Sequence, residues 1–316
     1  MLRVFVPLGR PRDRQYLNLI TSDEDIQQLK NFVSDKVELC VSLDPPVAFD
    51  VLVSTKPSTE LLAHENLKTL IVPTAGIREA TQVLLNNFPG LAVQTCHFNA
   101  EPTAEMALAL LLAAAKLLVP IDSEIRRGDW SSRYKVPSDS ITLAGKRAGV
   151  LGYGHIGSRI ERALTALGME VEIFRRHPEP GQYRNDDLLS HLPALAALIL
   201  AVPGTPQTQG IIGHRELSLL PNGAIVVNIA RGQVIDESAL FEQLSRGRLR
   251  AGIDVWYQYP ESEEEIASTL PSQLDYQSLS NVIMSPHRGG HSFDMQQVRL
   301  KQLASQLNEL AREAQV

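Results

Sequence analysis

Short apolar runs alternate with longer segments of helical period along most of the chain. This pattern predicts parallel strands joined by helices, an α/β fold. In the N-terminal third the predicted strands are Leu2–Val6, Val37–Val41, Val51–Ser54, Thr69–Val72 and Leu91–Gln94. Helix-like stretches such as Asp23–Val33 and Thr81–Asn87 lie between them, so this third reads as one small α/β unit. A long helix is predicted from Thr103 to Val119. It is apolar nearly all round and is therefore expected to be buried between domains or subunits. The polar stretch Gly128–Leu143 reads as a loop or arm. A second α/β unit starts near Lys146, with strands Ala148–Leu151, Glu170–Phe174, Ala197–Val202, Ala224–Asn228, Leu249–Asp254 and Val282–Ser285. A helix beginning near Phe293 closes the chain and is long enough to return to the first unit.

Composition narrows the class. At roughly 150 residues per domain, 316 residues imply about two domains. A chain of that size buries a core without disulfides or structural metal. Hydrophobic residues at 44% and charged residues at 21% exclude disorder and collagen-like repeats. A net charge of −6 argues against bulk nucleic-acid binding and against adhesion to anionic lipid. Anions must then be met by local positive features. Cys40 and Cys96 alone make neither a disulfide framework nor a zinc site, which fits a reducing compartment. The first residues are too short an apolar run for a signal peptide. The longest apolar stretch, Met106–Val119, is interrupted by Lys116 and falls short of the ~20 residues of a membrane span. The expectation is a soluble cytoplasmic protein with no nucleic-acid or membrane partner. The run Glu261–Glu265 reads as a solvated loop.

The sharpest local signal is Gly152-Tyr153-Gly154-His155-Ile156-Gly157, after an apolar strand and opening a helix through Leu167. Gly152 permits a tight turn, Gly154 lets backbone approach a pyrophosphate, and Gly157 lets helix and strand pack closely. The helix N-terminus offers free N–H groups to the phosphates, with His155 and Ile156 as its first residues. The next strand ends in Arg175-Arg176 with no carboxylate at its tip. An arginine pair suits a ribose 2′-phosphate, so NADP(H) is expected over NAD(H). Glu172 lies within the strand and not at its tip.

Four further blocks follow: Val202-Pro203-Gly204-Thr205-Pro206-Gln207-Thr208, Asn228-Ile229-Ala230-Arg231-Gly232, Gly252-Ile253-Asp254-Val255-Trp256 and Ser285-Pro286-His287-Arg288-Gly289-Gly290. With the glycine turn they make the sequence resemble the D-isomer-specific 2-hydroxyacid dehydrogenase family over essentially its whole length. The resemblance implies two Rossmann-like or flavodoxin-like parallel-sheet domains with a cleft between them. The substrate domain would be 1–99 with 291–316, and the nucleotide domain 100–290. It implies a homodimer through the nucleotide domain, to which the long helix and the Gly128–Leu143 arm would contribute. The implied substrate is a small 2-keto or 2-hydroxy acid, of glyoxylate or hydroxypyruvate type.

The resemblance also implies roles. His287 would move the proton, since imidazole titrates near neutral pH. Arg231 would polarise the carbonyl and pair with the carboxylate. Asp254 would receive the nicotinamide carboxamide. Val202, Pro203, Thr208, Ile229, Ala230 and Gly289 would lie along the cofactor. Backbone N–H groups of Thr74-Ala75-Gly76-Ile77 would hold the substrate carboxylate. His97 could face the cleft.

One position breaks the pattern. The family places a glutamate before a proline shortly after the Asp-Val-Trp strand end, where it pairs with the histidine. Here Tyr259 stands there, in Tyr257-Gln258-Tyr259-Pro260-Glu261. Formate dehydrogenases of this family carry glutamine at that place, so a carboxylate is not always required. Three readings stay open: Tyr259 bonds His287 through its hydroxyl, Gln258 or Glu261 swings in, or the partner is absent. A neutral phenol would stabilise imidazolium less than a carboxylate does, so a lower pKa for His287 is expected. A second function class also stays open, a cofactor-sensing binding protein of the same fold, as corepressors of the C-terminal-binding-protein type resemble this family.

Overall fold

The computed structural model describes residues 1–8 and 22–314. The chain divides into two compact units, Met1–Asn99 with Ser292–Val316, and Ala100–His291.

The first unit is built on five parallel strands: β1 Leu2–Pro7, β2 Val37–Ser42, β3 Val51–Val53, β4 Thr69–Val72 and β5 Ala92–Thr95. Their order is β2-β1-β3-β4-β5, the flavodoxin-like arrangement. Side-chain alternation sorts these strands into two apolar layers. Val4, Val6, Val51, Val53 and Ile71 pack with Leu29 and with Leu300, Leu303 and Leu307 of the C-terminal helix Met295–Glu313. Phe5, Leu52, Leu70 and Val72 face the other way, onto Phe49, Leu62 and Leu85. Helix Asp23–Phe32 starts at a capping box, in which Ser22 Oγ accepts from Asp25 N–H and the Asp25 carboxylate accepts from Ser22 N–H.

The second unit has seven parallel strands: β6 Arg147–Leu151, β7 Glu170–Arg175, β8 Tyr183–Arg184, β9 Leu195–Leu200, β10 Ile225–Asn228, β11 Arg250–Ile253 and β12 Val282–Met284. Their order is β12-β11-β10-β9-β6-β7-β8, a doubly wound sheet. The winding reverses between β6 and β9, and ligands of such sheets bind outside the strand C-termini at that reversal. Strands covered on both faces read as continuous apolar runs, as Leu195-Ala196-Ala197-Leu198-Ile199-Leu200 does. The two-residue β8 was not expected from the sequence.

The predicted long helix is corrected in extent and in burial. It runs Ala100–Lys116 and buries one stripe: Ala100, Thr103, Ala104, Ala107, Leu110, Leu111, Ala114 and Ala115. Leu112, on another face, is 37% exposed. Gly252 lets β11 approach this stripe, because a Cβ there would lie 2.7 Å from Leu110 Cβ. The chain breaks at Leu117, at φ +54°, and a second helix, Leu118–Arg126, leaves at 63°. Pro120 is the physical reason. In a continuous helix its missing N–H would serve the Lys116 carbonyl, and its ring would collide with that group. The second helix buries no residue and leaves Leu118, Val119 and Ile125 exposed. The arm after it contains one helical turn, Ser131–Tyr134, with Trp130, Tyr134 and Val136 exposed. Among the described residues no single helix is long and apolar enough to cross a membrane.

Candidate active site

At the end of β6 the glycine turn takes the form its spacing requires. Gly152 has φ +99°, and a Cβ on it would lie 2.6 Å from Ala201 O, at the end of β9. A Cβ on Gly157 would lie 2.1 Å from Gly152 O, so the helix His155–Ala166 can sit against the strand only with glycine there. A Cβ on Gly154 would meet nothing within 4 Å. Gly154 caps this helix without any side-chain acceptor. The helix N-terminus thus has no capping side chain from Gly154 and room at that glycine, an arrangement that fits a pyrophosphate. His155 is exposed, while Ile156 packs onto the apolar layer beneath.

Arg175 ends β7. Its Nη1 donates to Glu179 Oε1 at 3.3 Å and Gln182 Oε1 at 3.4 Å, and its guanidinium carbon sits 5.8 Å from the Tyr153 ring centre. Arg176 is exposed. Glu172 is engaged elsewhere, with His191 Nδ1 at 2.8 Å and Arg147 Nη1 at 3.7 Å. Glu179 thus brings a carboxylate to the strand tip that inspection of the strand alone does not reveal. Its only sequence signal is the four-residue spacing from Arg175.

The loop after β9 uses its own polar groups. Thr208 Oγ1 donates to Pro203 O at 2.6 Å and accepts from Thr205 N–H at 2.9 Å. Val202 is buried and Pro203 exposed. After β10, Ile229 and Ala230 are buried. The buried Asn228 side chain shapes this turn, accepting from Ala230 N–H at 3.0 Å and donating to Arg231 O at 3.0 Å. Arg231 then reaches the surface, its stem lying over Gly204, where a Cβ would be 2.6 Å from Arg231 Cγ. Gly232 allows the next turn to touch Trp256, since a Cβ there would be 2.3 Å from Trp256 O.

The histidine loop after β12 hangs from one carboxylate. Asp254, 2% exposed at the end of β11, accepts from Ser285 Oγ at 2.6 Å, Arg288 N–H at 2.8 Å and Gly289 N–H at 2.9 Å. Hydrogen bonds to a charged acceptor are worth about 1.5–3 kcal/mol each. They offset the left-handed backbone of His287, at φ +58°, which costs of order 1–3 kcal/mol. A Cβ on Gly289 would lie 2.7 Å from Asp254 Oδ2, so this close approach needs glycine. Trp256 Nε1–H braces the loop through Ser285 O at 2.8 Å. Asn228, Trp256 and Ser285 are organising residues to which sequence reasoning assigned no role.

Of the three possible partners for His287, the structure brings Tyr259. Its hydroxyl oxygen lies 3.0 Å from His287 Nδ1 and accepts from Trp256 N–H at 3.0 Å. Gln258 N–H donates to Pro271 O at 3.0 Å, and Glu261 N–H donates to the Glu265 carboxylate at 2.9 Å, within the exposed acidic loop. Both His287 and Tyr259 keep an exposed edge, 44% for Tyr259, as groups that meet a ligand must. The protein around them still costs the charged ring hydration. That desolvation, with the nearby Arg231 cation, holds the His287 pKa below its ordinary value, against the opposing pull of Asp254. Burial likewise pushes the Tyr259 hydroxyl up.

In the first unit, Thr74-Ala75-Gly76-Ile77 forms the turn after β4. Thr74 Oγ1 donates to Gly76 O at 2.8 Å. Among the described residues, the N–H groups of Ala75, Gly76 and Ile77 donate no backbone hydrogen bond. His97 is half-buried, its Nε2 3.2 Å from Thr95 Oγ1.

These features agree with the relatives the chain matches. Residues 108–289 match the family described as D-isomer specific 2-hydroxyacid dehydrogenase, NAD binding domain. The chain is 30% identical over 307 residues to a hydroxypyruvate reductase of Thermotoga maritima, covering 94% of each. It is 36% identical over 203 residues to a glyoxylate reductase of Thermococcus gammatolerans, covering 60% of this chain and 57% of that one. A D-isomer specific 2-hydroxyacid dehydrogenase of Xanthobacter autotrophicus Py2, solved in complex with NADPH and MES, superposes with a TM-score of 0.74 at 23% identity. That match covers 99% of this chain and 94% of the other. With the doubly wound sheet, the glycine turn and the histidine loop in place, the chain belongs to the D-isomer specific 2-hydroxyacid dehydrogenase family of NAD(P)-dependent enzymes.

Proposed function

We propose that the protein reduces a small 2-keto acid, of glyoxylate or hydroxypyruvate type, with NADP(H) preferred over NAD(H). The observation that carries this reading is the pairing of an exposed Arg231 with His287. Both follow the C-terminal ends of strands of one parallel sheet, β10 and β12, and Asp254 and Tyr259 fix the histidine loop. The cofactor, when bound, supplies the hydride. Everything else falls to the chain. Backbone at Gly152, Gly154 and Gly157, with His155 and Ile156, receives the pyrophosphate. Arg231 polarises the keto oxygen and pairs with the carboxylate. The N–H groups of Ala75–Ile77, which donate no backbone hydrogen bond among the described residues, suit a carboxylate. His287 Nε2 delivers the proton to the carbonyl oxygen. Asp254 serves first as the anchor of the histidine loop. Among the described residues its Oδ2 accepts from Gly289 N–H alone, which leaves it capacity for the carboxamide. Val202, Pro203, Thr208, Ile229, Ala230 and Gly289 line the cofactor through shape and backbone, Thr208 having its hydroxyl committed to the loop.

The exposed Arg176 supports NADP(H), as does Arg175 once it leaves Glu179. The NADPH-bound relative supports the same preference. The Tyr259 hydroxyl beside His287 Nδ1 weighs against the non-catalytic, cofactor-sensing alternative, which the fold and the departure at Tyr259 had left open. The exposed apolar side chains of Leu118, Val119, Ile125, Trp130 and Tyr134 suit coverage by a second copy, hence a homodimer through this unit. Val119→Glu should then shift the protein to monomer in analytical ultracentrifugation; an unchanged dimer would place the interface elsewhere. The test of function is NADPH consumption with a panel of 2-keto acids, repeated with NADH. Turnover with glyoxylate or hydroxypyruvate is expected, and an NADH preference would refute the arginine argument.

A further inference from the structure

We propose that Tyr259 is a positioning residue whose hydroxyl reverses its role with the charge of His287, donating to Nδ1 of the neutral ring and accepting from Nδ1–H of the cationic one. The inference rests on the reading of His287 as proton donor. A phenol oxygen has one proton to give and two lone pairs. Trp256 N–H takes one lone pair at 3.0 Å, and His287 Nδ1 lies 3.0 Å from the same oxygen. With the imidazole neutral, every donor is used when the Tyr259 O–H points at Nδ1 and the ring proton sits on Nε2. With the imidazole cationic, Nδ1–H takes the second lone pair.

An ionised carboxylate in that position accepts only. It would hold the neutral ring's proton on Nδ1 and leave Nε2 bare. The difference therefore falls on the nitrogen left for substrate. Here Nε2 carries a proton in both charge states, so the neutral enzyme still donates to a keto oxygen. A carboxylate-paired ring would set lone pair against lone pair.

Proton delivery nevertheless needs the imidazolium. Hydride goes to the carbonyl carbon, the Nε2–H bond breaks, and an O–H bond forms on the carbonyl oxygen. His287 is left neutral with its remaining proton on Nδ1, toward Tyr259. Rotation of the phenol O–H and exchange with solvent restore the resting form. A relay in which Tyr259 gives its own proton to Nδ1 is opposed by burial, which raises the hydroxyl pKa. The charged and titratable groups around His287 are Arg231, Asp254, Tyr259 and His291. Arg231 and His291 add to desolvation in lowering its pKa, and Asp254 opposes them. Binding and chemistry should then part company with pH. The rate of reduction is full below the lowered pKa and is lost as pH rises through it. Keto-acid affinity loses only the charge assistance and then levels off, because the neutral ring still donates.

The probe is oxamate, a non-reducible keto-acid analogue, titrated by calorimetry into the NADPH complex across the His287 titration, beside kcat for reduction. In the wild type, the oxamate Kd should rise by no more than about tenfold in total and then level off, while kcat continues to fall about tenfold per pH unit. In Tyr259→Glu, Kd should rise about tenfold per pH unit, in step with the fall in kcat, and both should break at higher pH. Long-range proton–nitrogen NMR should place the neutral-ring proton on Nε2 in the wild type and on Nδ1 in Tyr259→Glu. A wild-type Kd that keeps rising about tenfold per pH unit as kcat falls, or a wild-type ring proton on Nδ1, would overturn the proposal. Turnover surviving His287→Ala would instead overturn the proton-donor reading, a distinct result.

Discussion

The glycine turn after β6 is shaped by its own backbone, whereas the histidine loop after β12 is held by side chains arriving from β11 and from the segment beyond it. In the turn, Gly152 and Gly157 remove atoms that would collide, at 2.6 Å and 2.1 Å, and a Cβ on Gly154 would meet nothing within 4 Å. In the loop, atoms are added: three donors on Asp254, an indole on Ser285 O, a phenol on His287. The first construction suits a diphosphate, which is recognised by N–H groups and a helix terminus. The second suits a proton donor, whose ring must be oriented and whose pKa must be set. Changes in the loop should therefore strike chemistry, and changes in the turn should strike cofactor binding.

The largest expected effect breaks the loop. His287→Ala should lower kcat for reduction by about 10²–10⁴-fold and leave the NADPH Kd within about twofold. Loss of NADPH binding in that variant would erase the distinction between the regions. Gly157→Ala should do the reverse, since its Cβ has no room against Gly152 O. It should cost of order 2–4 kcal/mol in denaturant unfolding and abolish NADPH binding. Near-normal stability would mean that the helix yields more easily than the contact implies. Asp254→Asn keeps the shape but weakens the anchor. A stability loss of about 1.5–3 kcal/mol is expected, with kcat reduced about tenfold and NADPH binding little changed. The smallest effect sharpens the cofactor end. Arg176→Ala should raise the NADPH KM by about tenfold and leave the NADH KM alone. An equal rise for both cofactors would remove Arg176 from the 2′-phosphate.

The two regions were also unequally legible. A turn built by backbone is written in consecutive letters, so Gly152, Gly154 and Gly157 could each be given a task from spacing. Apart from the two-residue β8, the strands were legible as short apolar runs, unbroken where burial covers both faces, as in β9. The loop was legible only as a motif. Whether Tyr259, Gln258 or Glu261 meets His287 depends on how five residues fold back over Trp256, which no local pattern encodes. The break at Leu117 is a different case. The apolar run across Pro120 predicts one helix, but a steric prohibition outranks hydrophobic pattern. Arg175 illustrates a third cause. Its engagement by Glu179 and Gln182 depends on the turn of the segment after β7 and not on the strand itself.

The most direct test of the assignment is the absorbance of NADPH followed with glyoxylate and hydroxypyruvate, for the wild type and His287→Ala side by side. Rapid oxidation by the wild type is expected, together with near-complete loss in a variant that still binds NADPH. No oxidation with any 2-keto acid, or equal rates in the two proteins, would contradict it.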